Sequence, residues 1–273
     1  MTSALHAVLA AAAWALLWRG LERSAFVDHA PDPEVAGAFA LAVLIAVAAG
    51  SVAALVAGRT AWSPSRALIA DAVSLAAAGW ALAVVSLAPW TRDLGGVFVV
   101  LIVAIRLAPG ALAVMSSRAP AWLAFVLAFG GYAALAAWLP VASLPLGDQI
   151  HYLLVADRLQ HGSLDAAIDT DLFMRTLGIP PSPTDAATHV AASPVGPRPI
   201  QGYALPLLIL PGWALAGRLG AGIVLALAAA WTSYQTLLIL RDLLPARPRA
   251  AGWTWLIASA SAPMALLATH IYP

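Results

Sequence analysis

Seven runs of predominantly apolar residues constrain what this chain can fold into more than any other feature of the sequence. They cover residues 4–18, 35–57, 67–89, 97–115, 121–141, 219–240 and 252–271. Each run is close to the length of about 20 residues with which an α-helix crosses the hydrocarbon core of a bilayer. Because lipid offers no partner to an unpaired backbone N–H or C=O, spanning segments of this kind are helical. The sequence therefore predicts an all-α fold, a polytopic membrane helix bundle of about seven spans.

The composition agrees with this prediction and excludes several classes of function. Of the 273 residues, 62% are hydrophobic and 10% are charged, and the mean hydropathy is +0.87, which is far above the values of soluble domains. Cysteine is absent, which excludes a disulfide framework and a thiolate metal site. A net charge of +1 gives no support for nucleic acid as a partner. The chain also lacks a glycine-rich nucleotide-binding loop.

A polar loop, residues 142–202, together with a short apolar segment that follows it, divides the apolar runs into two groups. We expect three regions: N-terminal membrane helices over 1–141, an outer loop with juxtamembrane helices over 142–218, and further membrane helices over 219–273. Within the loop, residues 203–217 are apolar but short and are interrupted by Pro206, Pro211 and Gly212. We interpret this segment as interfacial or re-entrant. The last run ends at Pro273 without a polar tail, and we expect the chain to be a piece of a longer protein.

The distribution of arginines predicts the orientation. If segment 203–217 does not span, six arginines fall on one side of the membrane and the large loop falls on the other: Arg59, Arg66, Arg118, Arg241, Arg247 and Arg249. The positive-inside rule then predicts a cytoplasmic N-terminus and an outward-facing loop. Inside a predicted span, Arg106 is a costly charge, with Asp71 as its candidate partner. A structural pair and a contact with a lipid phosphate are both open for Arg106.

The stretch SLPLGDQIHYLLVADRLQHGSLD, residues 143–165, places six titratable side chains between apolar runs. Asp148 stands at a helix N-cap position, and the pattern predicts a helix that runs to His161 and ends at Gly162. Asp148, His151 and Tyr152 would share its first turn and converge, whereas Ile150, Leu153 and Leu154 would face the membrane or the core. Asp148 could serve only as a cap or could act in catalysis, and its position leaves both alternatives open.

The same stretch resembles the first outer-loop motif of bacterial membrane glycosyltransferases of the GT-C superfamily, which include protein O-mannosyltransferases and the lipid A aminoarabinose transferase. The matching positions are Gly147, Asp148, His151, Tyr152, Leu153, Ala156, Leu159, Gly162, Leu164 and Asp165. Gln149 and Ile150 depart from the motif, which commonly has Glu and Pro there. A second block, residues 189–231, is similar to the return from that loop. The final HIYP lacks the acidic residue with which relatives continue. The resemblance covers roughly residues 140–273.

The resemblance implies a glycosyltransferase that moves a sugar from a polyprenyl-phosphate donor to an acceptor hydroxyl at the outer face of the bacterial inner membrane. In such enzymes the first Asp of the motif acts on the acceptor, and this role would fall to Asp148 as general base. The identity of the acceptor, a glycan, a lipid or a protein, is left open. The lipid bilayer and the lipid-linked donor are the implied partners, and His151 and Tyr152 are candidate substrate-binding residues.

The departing phosphate needs a cation, and arginine can bind phosphate oxygens in bidentate fashion. The candidates are Arg158, Arg175, Arg198 and Arg218. Each has a structural alternative: Arg158 could pair with Asp157 on a solvated helix face, and Arg218 could extend to the membrane interface. A divalent cation at Asp165, Asp169 and Asp171 is a further alternative, and no cofactor is otherwise indicated. A secondary transporter and a non-catalytic membrane scaffold remain the competing functional hypotheses.

Overall fold

The computed structural model describes residues 33–57, 92–116, 119–142, 148–162, 190–191, 198–199, 202–261 and 264. Within these ranges the fold is helical, as predicted. The helices are α1 (Pro33–Ala57), α2 (Arg92–Met115), α3 (Trp122–Ala142), α4 (Asp148–Gln160), α5 (Ala204–Leu243) and α6 (Pro248–Ala260). A two-residue antiparallel ladder joins β1 (Val190–Ala191) to β2 (Arg198–Pro199). The division into three regions stays a prediction.

Helices α1, α2, α3 and α5 form a bundle with a hydrophobic cluster near each end. The first cluster joins the early part of α1 (Ala42, Val43) to the early part of α2 and the late part of α3 (Trp138). The second joins the last turns of α1 and α2 to the start of α3 (Leu123) and the last part of α5 (Leu237). We call these the motif end and the arginine end. Helices α1 and α2 therefore run parallel, whereas α3 runs antiparallel to both.

Small residues let the bundle helices approach one another closely. A Cβ added to Gly50 would lie 2.8 Å from the carbonyl oxygen of Arg106, and one added to Gly110 would lie 2.8 Å from a methyl of Leu127. Gly130 lies against the Cβ of Ala49. Helices that associate in lipid are commonly packed through small residues, because backbone proximity increases van der Waals contact.

Helix α5 is not straight but reverses direction at Ala216 and Gly217, whose backbone angles are not helical. Gly217 adopts φ 55° and ψ −136°, a combination that disfavours any residue with a Cβ. Gly212 precedes the reversal and Gly220 follows it. The two lie so close together that a Cβ on either would collide with the carbonyl oxygen of the other. The two arms, residues 204–215 and 218–243, thus form a helical hairpin. The break lies at the end of segment 203–217, and the interfacial or re-entrant position of that segment stays a prediction.

Helix α6 is held against the bundle by buried hydrogen bonds. The Tyr132 hydroxyl of α3 donates to the carbonyl oxygen of Ser259 at 2.7 Å, Trp255 Nε1 donates to Ser233 Oγ at 2.9 Å, and the hydroxyls of Ser233 and Ser259 lie 2.6 Å apart. In a continuing helix the carbonyl of Ser259 would accept from residue 263, but that residue is proline and has no N–H. The Tyr132 hydroxyl therefore replaces the missing backbone donor to the Ser259 carbonyl oxygen.

The described part of the predicted span 252–271 is interrupted after Ala260, and Met264 is again helical. Helix α6 begins earlier, at Pro248, and ends at Ala260, and Ser261 is extended with ψ 149°. Pro at the first helical position favours the early start, and Pro263 disfavours helical backbone at the residue before it. Apart from Met264, the remainder of that predicted span lies outside the described residues.

Of the described residues, one helix is long and apolar enough throughout to cross a membrane, Ala204–Leu243. Its second arm, residues 218–243, is about 39 Å long at a rise of 1.5 Å per residue. Shorter apolar helical stretches occur at Ala40–Ala53, Ile102–Met115 and Trp122–Trp138. The described residues thus support an all-α fold with one spanning helix, and they do not reproduce the predicted count of seven. The predicted spans 4–18 and 67–89 lie outside them.

Large apolar side chains cover much of the outer surface of the helices. The exposed ones include Leu44, Leu55, Val100, Leu112, Leu227, Trp231, Ile239, Leu243 and Ile257. Contiguous exposed apolar surface is unfavourable in water and is typical of membrane or protein contacts. The exposed surface is therefore consistent with the membrane association that the spanning helix indicates.

Candidate functional site

The candidate site is built on α4, which the sequence predicted between Asp148 and His161. The helix covers Asp148–Gln160, and Gly162 follows with φ 71° and donates its N–H to the carbonyl oxygen of Leu159 at 3.1 Å. A glycine in the left-handed region is a common helix terminator because it has no Cβ. The predicted helix is confirmed over Asp148–Gln160, and the residue before Asp148 lies outside the described residues. The side chain of Asp148 lies outside the described residues.

One face of α4 packs into the hairpin of α5. Ile150, Leu153 and Leu154 form a buried cluster with Ile209 from the first arm and Ala221 and Leu225 from the second. The prediction that these three α4 residues face the core is confirmed. Because both arms contribute to the cluster, the position of α4 depends on the reversal at Gly217.

A polar contact fixes the last turn of α4 against the first arm. Trp213 Nε1 donates to Asp157 Oδ1 at 3.4 Å. The other carboxylate oxygen of Asp157 lies 3.8 Å from His161 Nδ1, and the same ring nitrogen lies 2.7 Å from the Asp157 carbonyl oxygen. Asp157 therefore joins α4 to the hairpin.

This arrangement bears on the alternative in which Arg158 pairs with Asp157 on a solvated face. Arg158 is half-buried, and its Nε atom is buried and has no hydrogen-bond partner within the described part of the chain. The recorded contacts of the Asp157 carboxylate are with Trp213 and His161. The Nε–H of Arg158 is thus a donor that the described protein groups leave unsatisfied.

Four residues of α4 are spaced three or four positions apart and so occupy one stripe of the helix. At 100° per residue, Asp148, His151, Val155 and Arg158 follow one another along this stripe. His151 and Val155 are each only 4% exposed. From Asp148 to Arg158 the backbone rises about 15 Å, and long helical side chains point back toward the N-terminus, which shortens the gap. The stripe therefore aligns an acidic residue, a buried imidazole and an arginine with an unsatisfied donor.

Tyr152, a candidate substrate-binding residue, is 5% exposed and belongs to the cluster between α4 and the hairpin. Its ring is therefore part of the packing between these elements. Its predicted convergence with Asp148 and His151 stays a prediction. Gln149, which departs from the family motif, is also buried.

For the other predicted site residues, the structure gives fewer details of position. Arg218 is half-buried and directly follows the reversal at Gly217, so it lies on the hairpin that packs against α4. Arg198 pairs with Ala191 in the β1–β2 ladder, and its side chain lies outside the described residues. Arg175, Asp165, Asp169 and Asp171 also lie outside them. Among the described residues no group of three His, Asp or Glu side chains is arranged to hold a metal ion.

Two features of the site were not predicted from the sequence. The Trp213–Asp157 contact joins residues 56 apart in the chain, and the Gly212–Gly220 contact depends on where the helix reverses. A signal for the second was present, because Gly212, Gly217 and Gly220 are closely spaced after Pro211. No comparable signal identified Asp157 as the partner of Trp213.

Comparison with known proteins finds no relatives: no protein-family model matches the chain, and neither a curated protein nor a solved structure is significantly similar to it.

Proposed function

We propose that the chain is a membrane glycosyltransferase that transfers a sugar from a polyprenyl-phosphate donor to an acceptor hydroxyl, with Asp148 as general base. The proposal rests on the likeness of residues 147–165 to the GT-C outer-loop motif. The observation that supports it most is the stripe on α4, where Asp148, His151 and Arg158 lie in line.

The two ends of this stripe suit the two halves of the reaction. As the acceptor oxygen attacks the anomeric carbon, its proton passes to the carboxylate of Asp148, and the bond between that carbon and the donor phosphate oxygen breaks. The electron pair stays on the phosphate, which leaves as polyprenyl phosphate with one more negative charge. The guanidinium of Arg158 would neutralise this charge, and its unsatisfied Nε–H is a donor for a phosphate oxygen.

Burial strengthens these roles. His151 and Val155 are nearly inaccessible, so the middle of the stripe is shielded from water. Electrostatic interactions are stronger where water is excluded. An arginine that the protein leaves without a partner at Nε would then favour an anionic ligand over an empty site.

We further propose that the chain crosses the bacterial inner membrane several times, with α4 at the outer face. Helices α1, α2 and α3 have 25, 24 and 21 residues, lengths that suit about 30 Å of hydrocarbon. Arg241, Arg247 and Arg249 lie at the end of the bundle opposite to α4. This separation suits a cytoplasmic arginine end.

The proposal is tested by Asp148→Asn in membranes that contain polyprenyl-phosphate-linked sugars. We expect loss of transfer by about 100-fold or more, because general-base catalysis contributes on the order of 10²–10⁴. The matched control is Asp242→Asn, which makes the same chemical change at the exposed turn of the arginine end. Unchanged turnover in the Asp148 variant, with normal insertion, would remove the catalytic assignment.

A secondary transporter is the second candidate, and the reversal at Ala216 and Gly217 is the observation that favours it. Interrupted helices line the substrate path in many transporters. Such proteins usually carry a matching break in each half, and the sequence shows no counterpart before residue 140. Uptake of a labelled solute into proteoliposomes without a glycosylated product would favour the transporter.

A further inference from the structure

The turn between α5 and α6, at the arginine end, is a surface of a different kind from the motif end. Arg247 and Arg249 are exposed, and Pro245, Ala246, Pro248 and Ala250 around them are exposed as well. Arg241 precedes them and makes a contact within the protein. Its Nη2 donates to the carbonyl oxygen of Val114, in the last turn of α2, at 3.3 Å. A guanidinium there satisfies a helix-terminal carbonyl. Arg247 and Arg249 are therefore the charges available to a partner.

Apolar side chains flank these two arginines. Leu243 is 71% exposed and Trp253 is 54% exposed, and both lie within six residues of Arg247 along the chain. The exposed apolar surface continues along α5 through Ile239 and Trp231 and along α6 through Ile257. Tryptophan is favoured where hydrocarbon meets water, because its ring is apolar and its N–H is polar.

This combination favours one partner. A soluble anionic peptide or a nucleic acid could neutralise the arginines, but it would leave Leu243 and Trp253 in water. A bilayer surface satisfies both, because its acyl chains cover the apolar side chains and its headgroup phosphates accept from the guanidinium groups. Phosphatidylcholine carries a compensating cation, whereas an anionic headgroup does not.

We propose that the α5–α6 turn binds anionic phospholipid headgroups through Arg247 and Arg249. The surface fixes the arginine end at the headgroup layer of a lipid leaflet. This proposal is independent of the glycosyltransferase activity, because it uses no residue of α4 or of the first arm of α5.

The test uses the full chain in detergent, titrated with phosphatidylglycerol and, in parallel, with phosphatidylcholine, and bound lipid is counted by native mass spectrometry. For the double variant Arg247→Gln/Arg249→Gln we expect phosphatidylglycerol to bind about 30-fold more weakly, since each arginine near a membrane surface contributes roughly fivefold. Binding of phosphatidylcholine should not change, which also shows that the variant is folded.

Asp242→Asn serves as a control of opposite sign. It removes an exposed negative charge from the same turn, so we expect phosphatidylglycerol binding to be equal to or tighter than that of the unsubstituted chain. Excess inorganic phosphate should compete poorly, because it offers no acyl chain to Leu243 and Trp253.

Equal affinity of the unsubstituted chain for the two lipids would overturn the proposal. So would a phosphatidylglycerol preference that survives in the double variant, because the preference would then arise elsewhere. Full competition by inorganic phosphate would also contradict it, since the ligand would then be a free anion.

Discussion

The two ends of the bundle carry charge in different ways. At the motif end, Asp157 and Arg158 are half-buried, and Asp157 is bound to Trp213 of the neighbouring hairpin. At the arginine end, Asp242, Arg247 and Arg249 are exposed at the short turn between α5 and α6 or on the helical residues next to it. Buried or half-buried charge is costly unless it is paired or used. Exposed charge costs little.

The two ends do not differ in unsatisfied buried donors. A buried arginine Nε–H without a partner lowers stability, and one occurs at each end among the described residues, in Arg158 and in Arg241. The ends differ in the exposure of their charges. The proposed substrate binding lies at the motif end, where the charges are half-buried, and the proposed membrane anchoring lies at the arginine end, where Arg247 and Arg249 are exposed.

The largest expected effect on stability comes from a substitution in the α5 hairpin at the motif end. Gly220→Ala places a Cβ against the backbone of Gly212, which cannot move without opening the hairpin. We expect destabilisation of about 4 kcal/mol or more, at the upper limit of overpacking, measured by thermal unfolding in detergent.

Its matched control is Gly37→Ala in α1, where nothing lies within 4 Å of an added Cβ. That change should be neutral or stabilising by about 0.5–1 kcal/mol. Equal melting temperatures for the two variants would show that the arms of α5 are not in contact.

A second pair of variants compares the ends directly. Leu153→Ala removes a fully buried side chain between α4 and the hairpin, and we expect a loss of about 3 kcal/mol. Leu243→Ala removes an exposed leucine at the arginine end and should change unfolding by less than about 0.5 kcal/mol in detergent. A reversed order in denaturation experiments would mean that α4 does not pack as described.

A third change tests how firmly α6 is held against the bundle. Tyr132→Phe removes the donor to the Ser259 carbonyl, and we expect a cost of about 1–3 kcal/mol because a buried acceptor loses its partner. Tyr234→Phe is the control, since its ring packs at a tilted angle against Trp231 and the ring is kept. Hydrogen exchange of α6 amides should increase in the first variant and stay constant in the second.

The smallest expected effect concerns the link between α4 and the hairpin. Trp213→Phe keeps an aromatic ring but removes the 3.4 Å hydrogen bond to Asp157. At that distance we expect about 0.5 kcal/mol. A loss as large as that of Leu153→Ala would show that the polar contact, and not apolar packing, holds α4 in place.

Local signals in the sequence predicted a good part of this structure. The bounds of α1, α2 and α3 lie within a few residues of the predicted runs, because continuous apolar sequence is sufficient to indicate a helix. Asp148 and Gly162 likewise marked the ends of α4. Pro206, Pro211 and Gly212 were expected to interrupt segment 203–217, but they lie inside its helical arm, and the break falls at Ala216 and Gly217.

The remainder depends on contacts between distant residues. Tyr132 and Ser259 are separated by 127 positions, and nothing near either one indicates the other. The end of α6 was missed because a run of apolar residues continues past Pro263, and hydropathy alone does not register a missing N–H. The burial of Tyr152 against the hairpin was missed because a helical wheel gives the face of a residue but not its neighbour.

Cysteine labelling from each side of the membrane tests most directly whether α4 and the α5–α6 turn face opposite sides. The chain has no cysteine, so Gln160→Cys at the end of α4 and Ala250→Cys at the start of α6, both exposed positions, can each be labelled alone with a membrane-impermeant maleimide. We expect Gln160→Cys to react in intact cells and Ala250→Cys to react only after the membrane is permeabilised. Labelling of both positions from the same side would contradict the opposition of the two ends.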